Sequence, residues 1–178
     1  WRLVQALATL TSPKGVITID GFSSHIAPIS EEDSEVLKSI ELDEVGLKRE
    51  FRISSWVRAM KGPTLVKEHI FGATCTICGI QTGHTDAGAK TVLPSSAMAR
   101  LDFRLVPDLT AEKVVDLLRS HLDVRGFKDI EIIELGNAPL AKSSAKSTVA
   151  RAVIESATEV YGQSPLIYPM DPSSGPVG

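Results

Sequence analysis

The sequence predicts an α+β fold, a ferredoxin-like antiparallel sheet with helices on one face, lacking its first strand and carrying short extra helices in residues 30-61. Three observations predict it. Residues 97–106 alternate cleanly, with Ala97, Ala99, Leu101, Phe103 and Leu105 on one face and Met98, Arg100, Asp102 and Arg104 on the other, the period-2 signature of a half-buried strand. Two later stretches repeat apolar residues at helical spacing. With the 30-61 stretch and the last segment set aside, the order is helix, strand, strand, helix, strand, one leading strand short of the split βαβ arrangement.

Each element has its own signals. Trp1, Leu3, Val4, Leu7 and Leu10 recur at helical spacing, which predicts a first helix stopped near Ser12-Pro13. Val16-Ile17-Thr18-Ile19 reads as a short strand before a loop. Ser30 precedes Glu31, Glu32 and Asp33, a capping serine with acids at the positive end of a helix running to about Ile40. Short helices are expected over Asp43 to Glu50 and Ser54 to Met60. Between Pro63 and Glu68 the helical period is lost, and Phe71 to Ile80 reads as a strand. Gly83 to Lys90 is a loop ahead of the 97–106 strand. Thr110 caps a helix carrying Val114, Val115, Leu117, Leu118 and Leu122 that ends before Gly126, and Ile130 to Leu135 is the next strand. A last helix from about Ser144 to Tyr161 is expected to bury Val149, Val153, Ala157 and Val160, with Gly162 as its stop. A short strand at Leu166 to Tyr168 follows.

Composition bounds the function. The 178 residues, 43% hydrophobic and 23% charged, suffice for one main domain with appendages. A net charge of -3 and a pI near 5.8 give no basic footprint for nucleic acid. Two cysteines do not make a secreted disulfide scaffold, so a cytoplasmic location is expected. No apolar run approaches the roughly 18 residues that span a bilayer, and no signal peptide is visible; a soluble protein without membrane contact is expected. The chain opens at Trp1 and closes in a Gly/Pro/Ser loop, and both ends are expected to be cut from something longer.

Several residue groups bear on chemistry. Cys75-Thr76-Ile77-Cys78 formally matches Cys-x-x-Cys, but two thiols are half a zinc site and they fall inside a strand rather than at a helix start. Packed thiols are the expected reading. His25, His69, His84 and His121 are scattered, with no pair at i, i+4. His84, in a Gly-flanked loop beside Asp86, is the best of the four as a substrate-facing group. Glu31, Glu32, Asp33 and Glu35 open a helix, which explains them without a cation. Ser23-Ser24-His25 is sequence adjacency only, since nucleophile and base are paired by the fold. The sharper feature is Gly88-Ala89-Lys90-Thr91-Val92-Leu93-Pro94 followed by a strand ending Asp102-Phe103-Arg104-Leu105-Val106-Pro107. A strand arginine offers a stiffly held planar fork to a carboxylate, and a loop threonine can add a hydroxyl; a surface ion pair is the competing use of Arg104.

These two segments, at their mutual spacing, resemble the lid domain of the zinc-dependent aminoacylase, acetylornithine deacetylase, desuccinylase and carnosinase superfamily. Trp1-Arg2-Leu3-Val4-Gln5-Ala6-Leu7, Pro28-Ile29-Ser30-Glu31-Glu32, Pro63-Thr64-Leu65 and Ile77-Cys78-Gly79-Ile80 extend the resemblance over nearly the whole chain. It implies a hydrolase subunit: a catalytic domain holding two zinc ions, with a smaller ferredoxin-like lid domain inserted into it that forms a homodimer. It implies that Thr91 and Arg104 hold the substrate carboxylate, of a small peptide or N-acyl amino acid, at the partner's metal site. It also implies that Ser174, in Pro172-Ser173-Ser174-Gly175-Pro176-Val177, lies near the substrate, although this loop departs from the family's Gly-Gly-Ser pattern. Many deacetylases and desuccinylases carry asparagine where Thr91 stands, so the resemblance leans toward dipeptidases or carboxypeptidases.

On this reading residues 1-142 are the lid, or dimerisation, domain with the helical insertion 30-61, and residues 143-178 are a helix, short strand and loop returning toward a catalytic domain outside the sequence. The family's lid histidine, zinc ligands and general-base glutamate have no counterparts here, so the fragment itself is expected to be inactive and to bind no metal, with the two zinc ions in the parent. There a water activated by the metals and the glutamate attacks an amide carbonyl. The competing hypothesis is a freestanding ferredoxin-like module that dimerises or binds a small ligand without catalysis. An autonomous hydrolase would need a nucleophile or metal constellation that the sequence does not display. An exposed sheet edge, left by the missing leading strand, is expected to invite pairing.

Overall fold

The computed structural model describes residues 1–138 and 140–170. They form an α+β fold with two compact units, Trp1–Ile26 with Ala73–Asn137, and Ala27–Gly72 with the residues from Ala138 onward. The expected boundary between residues 142 and 143 differs from this grouping, in which the 30-61 stretch shares a unit with the terminal helix.

In the first unit, α1 (Arg2–Leu7) turns Ala6 inward, and Thr11 bridges Ile17 where a short strand was expected. β1 (Thr74–Thr82) and β2 (Ala97–Arg104) form the sheet, an antiparallel pair. Their register sets Cys75 opposite Phe103 and Ile77 opposite Leu101 on one face, and Thr74 opposite Arg104 and Thr76 opposite Asp102 on the other. A bulge between Ile77 and Gly79 leaves Cys78 unpaired in the ladder. α5 (Ala111–Val124) starts at Thr110, whose hydroxyl accepts the Lys113 amide, and buries Val114, Leu118, His121 and Leu122. These join Leu10, Ile19, Phe22, Val106, Leu109 and Phe127 in the core, where Phe22 meets Phe103 with ring centroids 6.3 Å apart.

Residues Ile130 to Leu135 do not form the expected strand. A strand exists only where a neighbour completes its ladder, and no described segment pairs with them; Ile133 and Leu135 stand exposed. Leu166 to Tyr168 likewise forms no strand.

The second unit contains α2 (Glu31–Leu37), α3 (Glu44–Phe51), a short 3-10 turn Val57–Ala59, α4 (Gly62–Phe71) and α6 (Thr148–Tyr161). α4 was not expected. Pro63 falls in its first turn, where a missing amide hydrogen costs nothing, and Leu65, Val66 and Ile70 then face inward. Ile40, Val66 and Ile70 form a small core flanked by Leu37, Leu42, Phe71 and Met170. The acids of α2 are structural. Asp33, nearly buried, accepts Ser30 Oγ at 2.6 Å and Lys142 Nζ at 2.9 Å, while Glu32 accepts Ser144 Oγ at 2.7 Å. α6 stops at Gly162 as expected but starts at a Ser147 cap, a turn later than the expected Ser144, and Val149, Val153 and Val160 are exposed rather than buried, because no other described helix or strand packs along that face.

Candidate functional site

Arg104 closes β2 with its side chain on the polar face of the hairpin, opposite Thr74. The backbone under it is pinned on both sides, by Phe103 against Phe22 and by Val106 and Leu109, each 2% exposed. The guanidinium is thus carried by a rigid strand end and left facing solvent. Among the described residues it makes no ion pair.

Thr91 belongs to the loop 83–96 that joins the two strands, every residue of which is exposed. Thr82 Oγ1 donates to the Ser96 carbonyl at 3.1 Å and closes the loop at its base. Gly88 has φ +109, a conformation that side chains avoid, so the glycine of Gly-Ala-Lys-Thr shapes the approach to Thr91. A loop this long between paired strands is the kind of connection that carries function on a rigid scaffold. His84 sits in the same loop with Nδ1 4.0 Å from Asp86 Oδ2, beyond hydrogen-bonding distance. No hydrogen bond links Thr91, Arg104 and His84 to one another among the described residues; they share the hairpin and its loop. Ser174 lies outside the described residues.

The remaining candidates have local explanations. His25 Nδ1 and Ser24 Oγ both donate to the Gly21 carbonyl at 2.7 Å, so neither activates the other. Cys75 is half-buried and its thiol is pushed up to about 11 by burial, which keeps it protonated and unreactive; Cys78 is exposed at the bulge. No cluster of three or more His, Cys, Asp or Glu side chains fit to hold a metal occurs among the described residues. No described helix is long and apolar enough to cross a membrane.

One polar centre escaped the sequence reading. His121 is fully buried. Its Nδ1 accepts the Asp20 amide at 3.0 Å, which makes Nε2 the protonated nitrogen, and Nε2 donates to Thr9 Oγ1 at 3.0 Å. Thr9 Oγ1 passes its own proton to the Ala6 carbonyl at 2.7 Å. Arg125 grips the Asp20 carboxylate, with one contact of 2.9 Å, and holds it well below the usual carboxylate range. Burial, aided by the Arg125 charge, lowers the His121 pKa. The signal was present: position 121 continues the 114-118-122 stripe, where an apolar residue is the norm. The network ties α1, the turn at Asp20 and α5 together around a ring that is itself fully buried, while the Asp20–Arg125 pair at its edge is exposed, so the histidine's task is structural.

A family profile described as a peptidase dimerisation domain, M20 type, matches residues 2–129. The Cys-Gly metallodipeptidase DUG1 of Saccharomyces cerevisiae is 30% identical over 128 residues, covering 72% of this chain and 26% of that protein. The Beta-Ala-His dipeptidase of Rattus norvegicus is 29% identical over 122 residues, covering 68% and 24%. The crystal structure of an M20 family metallo-carboxypeptidase, Sso-CP2 from Sulfolobus solfataricus, matches with a TM-score of 0.85 and 31% identity over 99% of this chain and 40% of that one. The chain thus spans about a quarter of the length of these curated relatives.

Proposed function

The chain belongs to the M20 peptidase dimerisation domain family, and from that premise we propose that it dimerises a metal-dependent peptidase and holds the substrate's carboxylate. The proposed parent is a dipeptidase, carboxypeptidase or N-acyl-amino-acid deacylase, and the proposed partner is a second copy of itself. The observation that carries the binding role is Arg104: a guanidinium on a pinned strand end, without an ion-pair partner among the described residues. Its planar fork suits a carboxylate bidentately, and Thr91, exposed in the loop that leads into the same strand, supplies a hydroxyl donor.

The part these residues play is positioning. A carboxylate fixed at one end of a short peptide restricts where its amide bond can lie, which turns binding energy into orientation. The two zinc ions implied by the resemblance find no ligand set among the described residues, so we assign them, with the hydrolytic chemistry, to the remainder of the parent. Residues 1-142 would serve as the lid and 143-178 as the return toward that remainder. Ser174 and His84 are secondary candidates for substrate contact, and a cytoplasmic location accompanies the proposal.

The test is Arg104→Ala, with Thr91→Val beside it, in the full-length enzyme. The expected result is a fall in kcat/KM of roughly 100-fold or more for Arg104→Ala, the scale of a lost charged hydrogen-bonding pair. The bound metal should stay unchanged, and a peptide whose terminal carboxylate is amidated should lose little further. Loss of metal in Arg104→Ala, or equal losses on free and amidated peptides, would remove the carboxylate-binding assignment.

A further inference from the structure

The polar face of the hairpin carries more charge than a carboxylate site at Arg104 uses. Arg100, Asp102 and Arg104 follow one another along that face of β2, with Gly79, Thr76 and Thr74 opposite them on β1. All three charged residues are exposed. Among the described residues Asp102 forms no ion pair, although an arginine stands two positions away on either side. Gly79 adds room beside it: the glycine pairs with Arg100 just past the bulge, and a Cβ at that position would meet no atom within 4 Å. The face next to Asp102 is therefore open on the β1 side, and its carboxylate is free to take a cation from outside.

We infer that Asp102 reads the side chain of the substrate residue whose carboxylate Arg104 holds, and that it favours a long cationic one, lysine or arginine. The inference rests on the proposal that Arg104 binds the substrate's terminal carboxylate. A carboxylate gripped by that guanidinium brings the side chain of its own residue with it. β2 ends at Arg104, so the sheet offers a surface on one side of the guanidinium only, the side that carries Asp102. A side chain laid along that surface meets Asp102 as its first charged group. The spacing suits a long stem, because two residues of strand separate Asp102 from Arg104 by about 7 Å. A lysine or arginine can place its methylene groups along Thr76 and the open floor at Gly79 and still present its charge to the acid. Arg100, two residues further on, repels a cation that would slide past. An acidic side chain on the same path is disfavoured by Asp102 itself, so the arrangement discriminates in both directions.

The experiment compares kcat/KM in the full-length enzyme for two substrates that share the acyl group it cleaves and end in lysine or in norleucine, which has the same length and no charge. The native enzyme should favour lysine roughly 3- to 5-fold, the scale of an ion pair between partly exposed groups. Asp102→Asn, which keeps the shape of the side chain, should bring the ratio close to one. Asp102→Lys should reverse the selection and favour a terminal glutamate over a terminal glutamine, a gain that misfolding cannot imitate. A native ratio of one, or a ratio that survives both substitutions, overturns the inference. Arg104→Ala in the same assay separates it from the carboxylate reading. If Arg104→Ala costs 100-fold while the Asp102 variants leave the ratio alone, only the side-chain inference falls. If the Asp102 variants erase or reverse the ratio while Arg104→Ala costs nothing, the side-chain contact stands and the carboxylate reading falls.

Discussion

α5 and α6 each run for 14 residues, and each opens on a hydroxyl that accepts a first-turn amide at 3.2 Å. Each also gives way to a glycine at positive φ, Gly126 or Gly162. Their apolar stripes are comparably regular, yet α5 buries four residues and α6 buries none. The hydrophobic period and the caps fix where a helix forms, since they act within a few residues of the helix itself. Whether its stripe is covered depends on what the rest of the polypeptide brings to it. In the unit that contains β1 and β2 the partner is present; in the unit that contains α6 it is not among the described residues.

The largest expected consequence is in the response to truncation. Leu118, 6% exposed in the core face of α5, should cost about 2 to 5 kcal/mol when replaced by alanine, because removing a packed side chain leaves a cavity. Val153→Ala on α6 should cost within about 0.5 kcal/mol in the same 178-residue chain, as surface substitutions do. Urea unfolding midpoints for the two variants measure the contrast directly. A cost at Val153 approaching that at Leu118 would mean that its face is already packed in this chain, and the contrast between the helices would disappear.

A smaller effect comes from the buried histidine of α5. The fold lowers the His121 pKa, chiefly through burial, so the unfolded chain takes up a proton at a higher pH than the folded one. Its contribution to stability is therefore complete above the ordinary histidine value of about 6.5 and is lost as pH falls from there through the lowered folded value. A second proton on the ring would occupy Nδ1, which now accepts the Asp20 amide. The charged groups facing the ring, Asp20 and Arg125, oppose each other, with Arg125 disfavouring the proton and Asp20 favouring it. The carboxylates with lowered pKa values, Asp20, Glu32, Glu112 and Asp129, begin to act only at more acidic pH. Stability measured between pH 7.5 and 5.5 should fall with acidity in the native chain and stay level in His121→Gln. A level native profile would show that the ring carries no shift worth measuring.

The same contrast explains what the sequence made legible. Local signals located five of the six α-helices among the described residues, the Ser30 and Thr110 caps, the Gly162 stop and the alternating strand that ends at Arg104, because each is written in adjacent residues; the last helix was expected from about Ser144, and its cap is Ser147. α4 was missed because the helical period was read as lost between Pro63 and Glu68, although a proline in the first turn is compatible with a helix. Ile130 to Leu135 and Leu166 to Tyr168 were read as strands from composition, but a strand needs a ladder partner, and composition does not provide one. For the candidate site, the exposure of Thr91 and the pinned backbone at Arg104 followed from the loop and alternation patterns. The His121 network did not, since Thr9 and Asp20 meet the ring only after the chain has folded over about a hundred residues.

The smallest effect is at the helix caps, and it separates the two helices by where the loss appears. Replacing a capping hydroxyl by alanine costs about 1 kcal/mol. Thr110→Ala removes the acceptor for the Lys113 amide at the start of a helix whose stripe is built into the core, so α5 cannot loosen without loosening its unit. The loss should appear in the global unfolding midpoint. Ser147→Ala removes the acceptor for the Ala150 amide at the start of a helix whose stripe is bare. There the first turn can fray while the core of Ile40, Val66 and Ile70 stays intact, and the loss should appear as faster hydrogen exchange at Ala150 and its neighbours with the midpoint unchanged. A midpoint shift already present in the 178-residue chain would show that α6 is held cooperatively without any further partner.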